Sequence, residues 1–229
     1  PGKPGYAFTI KVRMVHAMVR ATLLKSPSWQ TQAWGLPINQ ADTLGTNLLF
    51  SIGFLEGCKQ WGLRFTPEET DAVLHLWRYL GYLIGIDEAL LPTDERSAQA
   101  ALYLVGVSQP NPDADSRALA KALYEVPLSF ERPAWVKRIL RAEMALRLSM
   151  TRQILGDEGV DQLGLPRTRA RRLLPSIVRA IGRVERARER IPGASYVAYR
   201  VGDFMIKKGQ QLLDAELAAQ KESAQGSQQ

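Results

Sequence analysis

His16 lies inside the run Lys11-Val-Arg-Met-Val-His-Ala-Met-Val-Arg20 and is one of two histidines in the chain. On a helix, Arg13 sits three positions before it and Arg20 four positions after, so all three side chains can project from one face. An imidazole can supply one axial bond to a haem iron, and guanidinium groups can pair with the two propionates through charge-assisted hydrogen bonds. The same spacing also fits a plainer arrangement, a hydrogen-bonded histidine in a helical core. His75, the second histidine, has three readings in order of preference: a hydrogen-bonded core residue, a partner to His16, or a surface residue. Both histidines with a carboxylate such as Asp42 or Glu56 could instead form a two-histidine-one-carboxylate iron site.

Other chemistries have little to work with. One cysteine and two histidines cannot assemble a four-cysteine or two-cysteine-two-histidine zinc site. No Gly-x-Ser-x-Gly elbow is present for a serine hydrolase. Cys58 cannot form an intrachain disulfide, and its apolar neighbourhood reads as a buried thiol.

The elements that must position these residues are helical throughout. Ile10, Val12, Val15, Val19 and Leu23 recur at helical spacing from about Phe8 to Leu24, and Ser26-Pro27-Ser28 ends that helix. Gly35-Leu-Pro-Ile-Asn-Gln40 is a turn leading into a second helix from about Gln40 to Trp61, apolar around its circumference and therefore expected to be central. Thr66-Pro-Glu-Glu69 supplies an N-cap, a proline at the first helical position and a glutamate at the third, which opens a helix to about Ile86. Gly81 and Gly85 on that helix imply close approach, by a neighbouring helix or by a flat ligand.

Further helices are expected from about Thr93 to Val107, Ser116 to Tyr124 and Glu131 to Met150. A glycine-broken turn region spans Thr151 to Leu165, an arginine-dense helix runs from Pro166 to Arg190, and a last helix covers about Asp203 to Lys221. Together they read as an all-α fold in a single helical domain over 1–221, followed by a polar, disordered tail over 222–229.

Composition supports a globular chain: 229 residues, 45% hydrophobic and 23% charged. No apolar run reaches the ~18 to 20 residues that cross a bilayer. The opening Pro1-Gly-Lys-Pro-Gly-Tyr6 resembles neither a signal peptide nor an initiator terminus, so the front reads as processed and the compartment as cytoplasmic or membrane-peripheral. A net charge of +7 and a pI near 9.7 invite a nucleic-acid or anionic-membrane role. Nucleic-acid motifs are missing, and Glu185 and Glu189 interleave the arginines at ion-pair spacing, so the Arg167 to Arg190 face reads as solvated, with peripheral membrane contact as its main competitor and no specific nucleic acid as partner.

Four motifs in order carry a resemblance. Val12-Arg-Met-Val-His-Ala-Met-Val-Arg20, Trp34-Gly-Leu-Pro-Ile-Asn-Gln40, Asp42 with Gly45-Thr46 and Phe50-Ser51, and His75-Leu-Trp-Arg-Tyr-Leu-Gly-Tyr-Leu-Ile-Gly85 are similar to the latex-clearing protein (rubber oxygenase) family, over about Tyr6 to Leu91. That family also includes the catalytic domain of the endoplasmic-reticulum-bound oxygenase of mycophenolate biosynthesis. The resemblance implies a globin-like helical domain with additional helices, a b-type haem, His16 as the proximal iron ligand, and Arg13 and Arg20 as propionate partners. The family's distal arginine and lysine-threonine pair lie upstream of the histidine helix, outside this chain, so the N-terminal part of the family domain is expected to be missing.

The functional expectation is a haem b-dependent oxygenase, a dioxygenase type, that combines dioxygen with a small hydrophobic substrate, unsaturated ones among the candidates. The competing expectations are a non-haem iron enzyme using His16 and His75, and a non-enzymatic helical protein that binds a membrane surface or partner through the Arg167–Arg190 face.

Overall fold

A computed structural model describes the backbone of residues 4–226 and the side chains of residues 5–211. Every regular element among them is helical, as the sequence predicts. The chain falls into two compact units, 1–179 and 180–229.

In the first unit, α1 (Pro4–Lys25) carries the histidine motif, and a short α2 (Thr31–Trp34) follows it. The expected second helix starts at Gln40 as read, because the Asn39 side chain accepts from the Asp42 N–H and caps it. That helix is not uniform. α3 (Gln40–Leu48) and α4 (Phe54–Gln60) are joined by a π-helical turn, Leu49–Gly53. One extra residue per turn rotates the side chains that follow, a device that clusters at functional sites. The expectation of a fully central helix holds for one face only. Leu44, Leu48, Ile52 and Leu55 are core, whereas Leu49, Phe50 and Phe54 are each more than half exposed, because the packed neighbours cover a single side.

α5 (Pro67–Ile84) begins with the predicted capping box: the Thr66 hydroxyl accepts from the Glu69 N–H, and the Glu69 carboxylate accepts from the Thr66 N–H. α6 (Glu95–Ser108) opens on a second reciprocal cap, between Asp94 and Ser97. Leu44, Leu48, Ile52 and Leu55 pack with Leu74, Ile86, Leu91 and Ala98 from these neighbours. Full burial of a side chain such as Leu48, Ile52 or Leu55 contributes about 1.5–3 kcal/mol.

Four elements differ from the sequence reading. α7 (Ala114–Ser129) is longer than expected and carries Pro127 in its last turn, where the helix is about to end anyway. α8 (Ala134–Gln162) continues past Met150, and only Gly156 breaks it, at φ 78° and ψ 164°, a conformation that glycine reaches without a Cβ penalty. The arginine-rich segment divides into a 3-10 turn, Arg169–Leu173, and α9 (Leu174–Arg190). In the second unit, α10 (Ala194–Gly226) starts nine residues before the expected Asp203. The expected tail over 222–229 begins within α10, and 227–229 lie outside the described residues.

Among the described residues no helix is long and apolar enough to cross a membrane. Cys58 is buried as expected, and burial pushes its thiol pKa up, which makes it a poor nucleophile.

Candidate functional site

His16 lies on the wall of a cavity of about 680 Å³. α1 contributes Phe8, Val12 and His16 to its lining, the turn after α2 gives Ile38, and α3 gives Asp42, Thr43, Thr46 and Asn47. Phe50 of the π turn, Trp77 and Ile84 of α5, and Ile86 complete it. Val12 and His16 are one helical turn apart, so α1 presents them side by side. The imidazole is half-buried and makes no hydrogen bond to another described residue, which leaves both ring nitrogens available. Phe50 and Trp77 stack with centroids 5.3 Å apart and planes within 13°, a flat aromatic wall on the same cavity.

The polar groups in the lining are mostly committed to backbone. Thr43 donates to the Asn39 carbonyl at 2.7 Å, and Thr46 donates to the Asp42 carbonyl at 3.0 Å. Buried Asn47 crosses to α5 and donates to the Trp77 carbonyl at 2.9 Å. Asp42 accepts from the Asn39 side chain at 2.6 Å, completing the cap of α3. What remains facing the cavity is largely apolar, with one uncommitted imidazole.

Arg13 and Arg20 are engaged at the edges of this space. The Arg13 Nη1 donates to the Leu83 carbonyl at 3.1 Å, next to the lining residue Ile84. Arg20 donates from Nε to the Pro37 carbonyl at 3.2 Å and from Nη2 to the Ile38 carbonyl at 2.5 Å. The two arginines thus tie α1 to the backbone stretches on which Ile84 and Ile38 stand. Each guanidinium has five N–H donors, so both retain donors beyond these bonds.

The glycine pair on α5 has a packing explanation that involves side chains. A Cβ on Gly81 would meet Leu91 Cδ2 at 2.7 Å and Asn47 Nδ2 at 3.1 Å. Gly85 caps α5 at φ 106°, and a Cβ there would meet the Arg13 guanidinium at 3.2 Å. The close approach comes from these side chains rather than from a second backbone.

His75 is a surface residue, against the preferred core reading. It follows Leu74, which α5 buries, and one residue's rotation along the helix carries it off the packed face. It lines a different cavity, with Arg78, Tyr79, Tyr82, Glu88 and Leu91. The carboxylates considered with it are also engaged elsewhere, since Glu56 accepts from Lys59 at 3.2 Å and from Gln99 at 2.9 Å. No group of three metal-ligating side chains forms among the described residues. The two-histidine iron site is therefore not assembled.

Two contributors escaped the sequence reading. Ile38 adopts φ 52°, and Gln40 bridges to the end of α5 by donating to the Gly85 carbonyl and accepting from the Asp87 N–H, both at 2.9 Å. Gly35-Leu-Pro-Ile-Asn-Gln40 reads as a turn from composition, but nothing in it marks a β-branched residue for the left-handed region.

Comparison with known proteins bears on what this cavity is for. Residues 1–187 match the family described as the ER-bound oxygenase mpaB/B'/rubber oxygenase catalytic domain. This chain belongs to that family. The rubber oxygenase of Streptomyces sp. (strain K30) is 34% identical over 93 residues, which cover 40% of this chain and 23% of that protein. A solved structure of latex clearing protein in the closed state superposes with a TM-score of 0.67 at 26% identity, over 79% of this chain and 47% of that one. The chain thus spans less than half the length of either relative. The all-helical fold is that of latex clearing protein, and the family resemblance read from the four motifs is borne out.

Proposed function

We propose that this chain is the haem-binding core of an oxygenase, with His16 as the iron ligand, haem b as the cofactor, and dioxygen and a hydrophobic molecule as substrates. The observation that carries the reading is the half-buried, uncommitted imidazole on the wall of an apolar cavity of about 680 Å³, in a chain of the rubber oxygenase family. A pocket of that size is within the range that encloses a large part of a small ligand. The stacked Phe50 and Trp77 offer a flat apolar surface suited to a macrocycle or to an unsaturated hydrocarbon.

Haem, when bound, would supply the one-electron and dioxygen chemistry that no side chain here can perform. The chain's part is to hold, orient and keep dry. His16, in the middle of α1, would offer one ring nitrogen to the iron, and its other ring N–H would be free to fix the tautomer by a hydrogen bond to water. Arg13 and Arg20, which have donors to spare beyond the carbonyl bonds that tie α1 to the cavity rims, would be the partners of the two propionates. Phe8, Val12, Ile84 and Ile86 keep the cavity beside His16 apolar and exclude water from it.

Titration with haemin followed by absorption tests the proposal. The wild-type chain should develop a Soret band, His16→Ala should lose or shift it, and His16→Gly should regain it when free imidazole is added. A wild-type chain without a band, or a His16→Ala variant with an unchanged one, overturns the assignment.

A further inference from the structure

α5 also carries chemistry on the side turned away from the His16 cavity. Trp77 and Ile84 line that cavity, whereas His75, Arg78, Tyr79 and Tyr82 stand at i, i+3, i+4 and i+7 on the opposite face of the helix. These four side chains, with Glu88 and Leu91, line a separate hollow of about 270 Å³.

Its hydrogen-bonding groups are mostly uncommitted donors. Among the described residues His75, Tyr79 and Tyr82 make no hydrogen bond. Arg78 makes one, from Nη2 to the Glu88 carboxylate at 3.2 Å. Its Nε is buried, and its stem borders a small space in the core beside Leu48, Ser51 and Leu74. The arginine is therefore seated at its base, and the Nη edge that reaches Glu88 keeps three N–H bonds to offer.

The acidic neighbours do not cancel this edge. The Glu88 side chain is 70% exposed, and an ion pair so open to water contributes little and is easily exchanged. Asp87 is occupied in capping the Ala89 N–H at 2.9 Å. Asp71, the next carboxylate along this face of α5, stands two helical turns, ~10 Å, from Arg78, about a Debye length at physiological salt.

We propose that this hollow binds a small aromatic carboxylate, its oxygens on the Arg78 guanidinium in place of Glu88 and its ring among His75, Tyr79 and Tyr82. A guanidinium edge with phenol hydroxyls beside it supplies the donors that a carboxylate accepts, two of them in parallel at the arginine. The imidazole and phenol rings give a flat body surfaces to pack against. Arg78 repels a cation, and a purely apolar ligand would take water from the guanidinium without replacing its hydrogen bonds. The volume falls below the range of pockets for drug-sized ligands, so an acid with a single ring is the fitting size. No residue of the His16 cavity takes part, so the proposal is independent of the haem assignment.

Titration of the full chain with benzoate, followed by saturation-transfer NMR, provides the test. Benzoate should bind saturably, and its neutral counterpart benzamide should bind on the order of tenfold more weakly. Inorganic phosphate at equal concentration should displace little of it. Arg78→Gln should weaken benzoate on the order of tenfold to a hundredfold, whereas Glu88→Gln, which removes the competing carboxylate from an exposed position, should tighten it about twofold to fivefold. Tyr82→Ala, at an exposed position, tests the ring contact without disturbing the core and should also weaken binding, with helicity by circular dichroism unchanged. His16→Ala should bind benzoate as wild type does. Absence of saturable binding, equal affinity for benzamide or phosphate, unchanged binding in Tyr82→Ala or in a folded Arg78→Gln, no tightening in Glu88→Gln, or loss of binding in His16→Ala overturns the proposal.

Discussion

Arg20 holds the carbonyl of Ile38, and Ile38 is the described non-glycine residue with a positive φ, at 52°. A β-branched side chain in that region costs on the order of 1–3 kcal/mol and persists only when its surroundings impose it. The Arg20 fork, which also grips the Pro37 carbonyl, is that imposition, and it sets Ile38 against the cavity that His16 lines.

The coupling is measurable as a double-mutant cycle on Arg20→Ala and Ile38→Gly. Arg20→Ala alone should cost about 1–3 kcal/mol through its lost charge-assisted bonds. With Ile38→Gly already present the strained conformation needs no restraint, so the same change should cost less by 0.5 kcal/mol or more. Urea denaturation of the four proteins gives the cycle. Strict additivity would mean that the arginine does not hold the turn.

Gly85 gives a related prediction on the other rim. Its φ of 106° and the Arg13 guanidinium 3.2 Å from a would-be Cβ make Gly85→Ala doubly unfavourable. About 1–2 kcal/mol of destabilisation is expected from the left-handed backbone alone. Because Arg13 must also shift, Gly85→Ala should weaken haemin uptake. Gly106→Ala, with open space at its Cβ, should do neither. Equal effects at the two positions would deny Gly85 its special role.

These rims also show how far the sequence could be read. The helix start after Thr66 was legible because a capping box is local, requiring only Thr66 and Glu69 three residues apart, and the start at Gln40 because the Gly35–Gln40 turn precedes it; the Asn39 cap itself emerged only in the structure. His16 was legible as a candidate because its neighbours at helical spacing share its face. The rest depended on distant contacts. Arg13 and Leu83 are seventy positions apart, and no local pattern announces that a guanidinium will spend a donor on that carbonyl. The same holds for His75: its helix was clear, but which side of α5 would be packed was decided by Leu91, Asn47 and α1.

At the kink in α8, charge predicts acid sensitivity. Asp161 accepts from Arg167 at 2.5 Å and pairs with Arg152 at 2.8 Å, and these bonds lower its pKa to about 2. Asp157 is lowered as well, chiefly by its hydrogen bond from Arg171. A carboxyl whose pKa falls on folding stabilises the fold above its unfolded value, about 3.9, and that contribution drains away as pH drops toward the folded value. Stability should therefore decline between about pH 4 and pH 2, and Asp161→Asn should flatten that part of the profile. An identical acid profile for wild type and variant would remove Asp161 from the account.

Arg152 is the hub of the same cluster, with its side chain 2% exposed. Besides Asp161 it donates to the Leu165 carbonyl at 2.7 Å and the Asp157 carbonyl at 3.3 Å, spanning the break at Gly156. Losing charge-assisted hydrogen bonds to a buried guanidinium costs about 1.5–3 kcal/mol. Arg152→Met should approach that range, and Arg152→Lys should recover little of it, because an ammonium cannot direct donors to three acceptors with a guanidinium's fixed geometry. Full rescue by lysine in thermal unfolding would show that charge alone matters here.

The sharpest check on the cavity leaves His16 in place and removes the space beside it. Val12 lines the cavity one turn before His16 on α1. Val12→Trp keeps that helix and adds a bulky ring in front of the imidazole, where the half-buried setting of Val12 leaves room to build outward. Helicity and the urea midpoint should stay near wild type, while the Soret band on haemin titration should be lost as in His16→Ala. Unlike the histidine variant, Val12→Trp should not be rescued by free imidazole, because the ligand is present and only the space is gone. A normal band in Val12→Trp would place any haem site elsewhere than this cavity, even if His16→Ala had abolished binding.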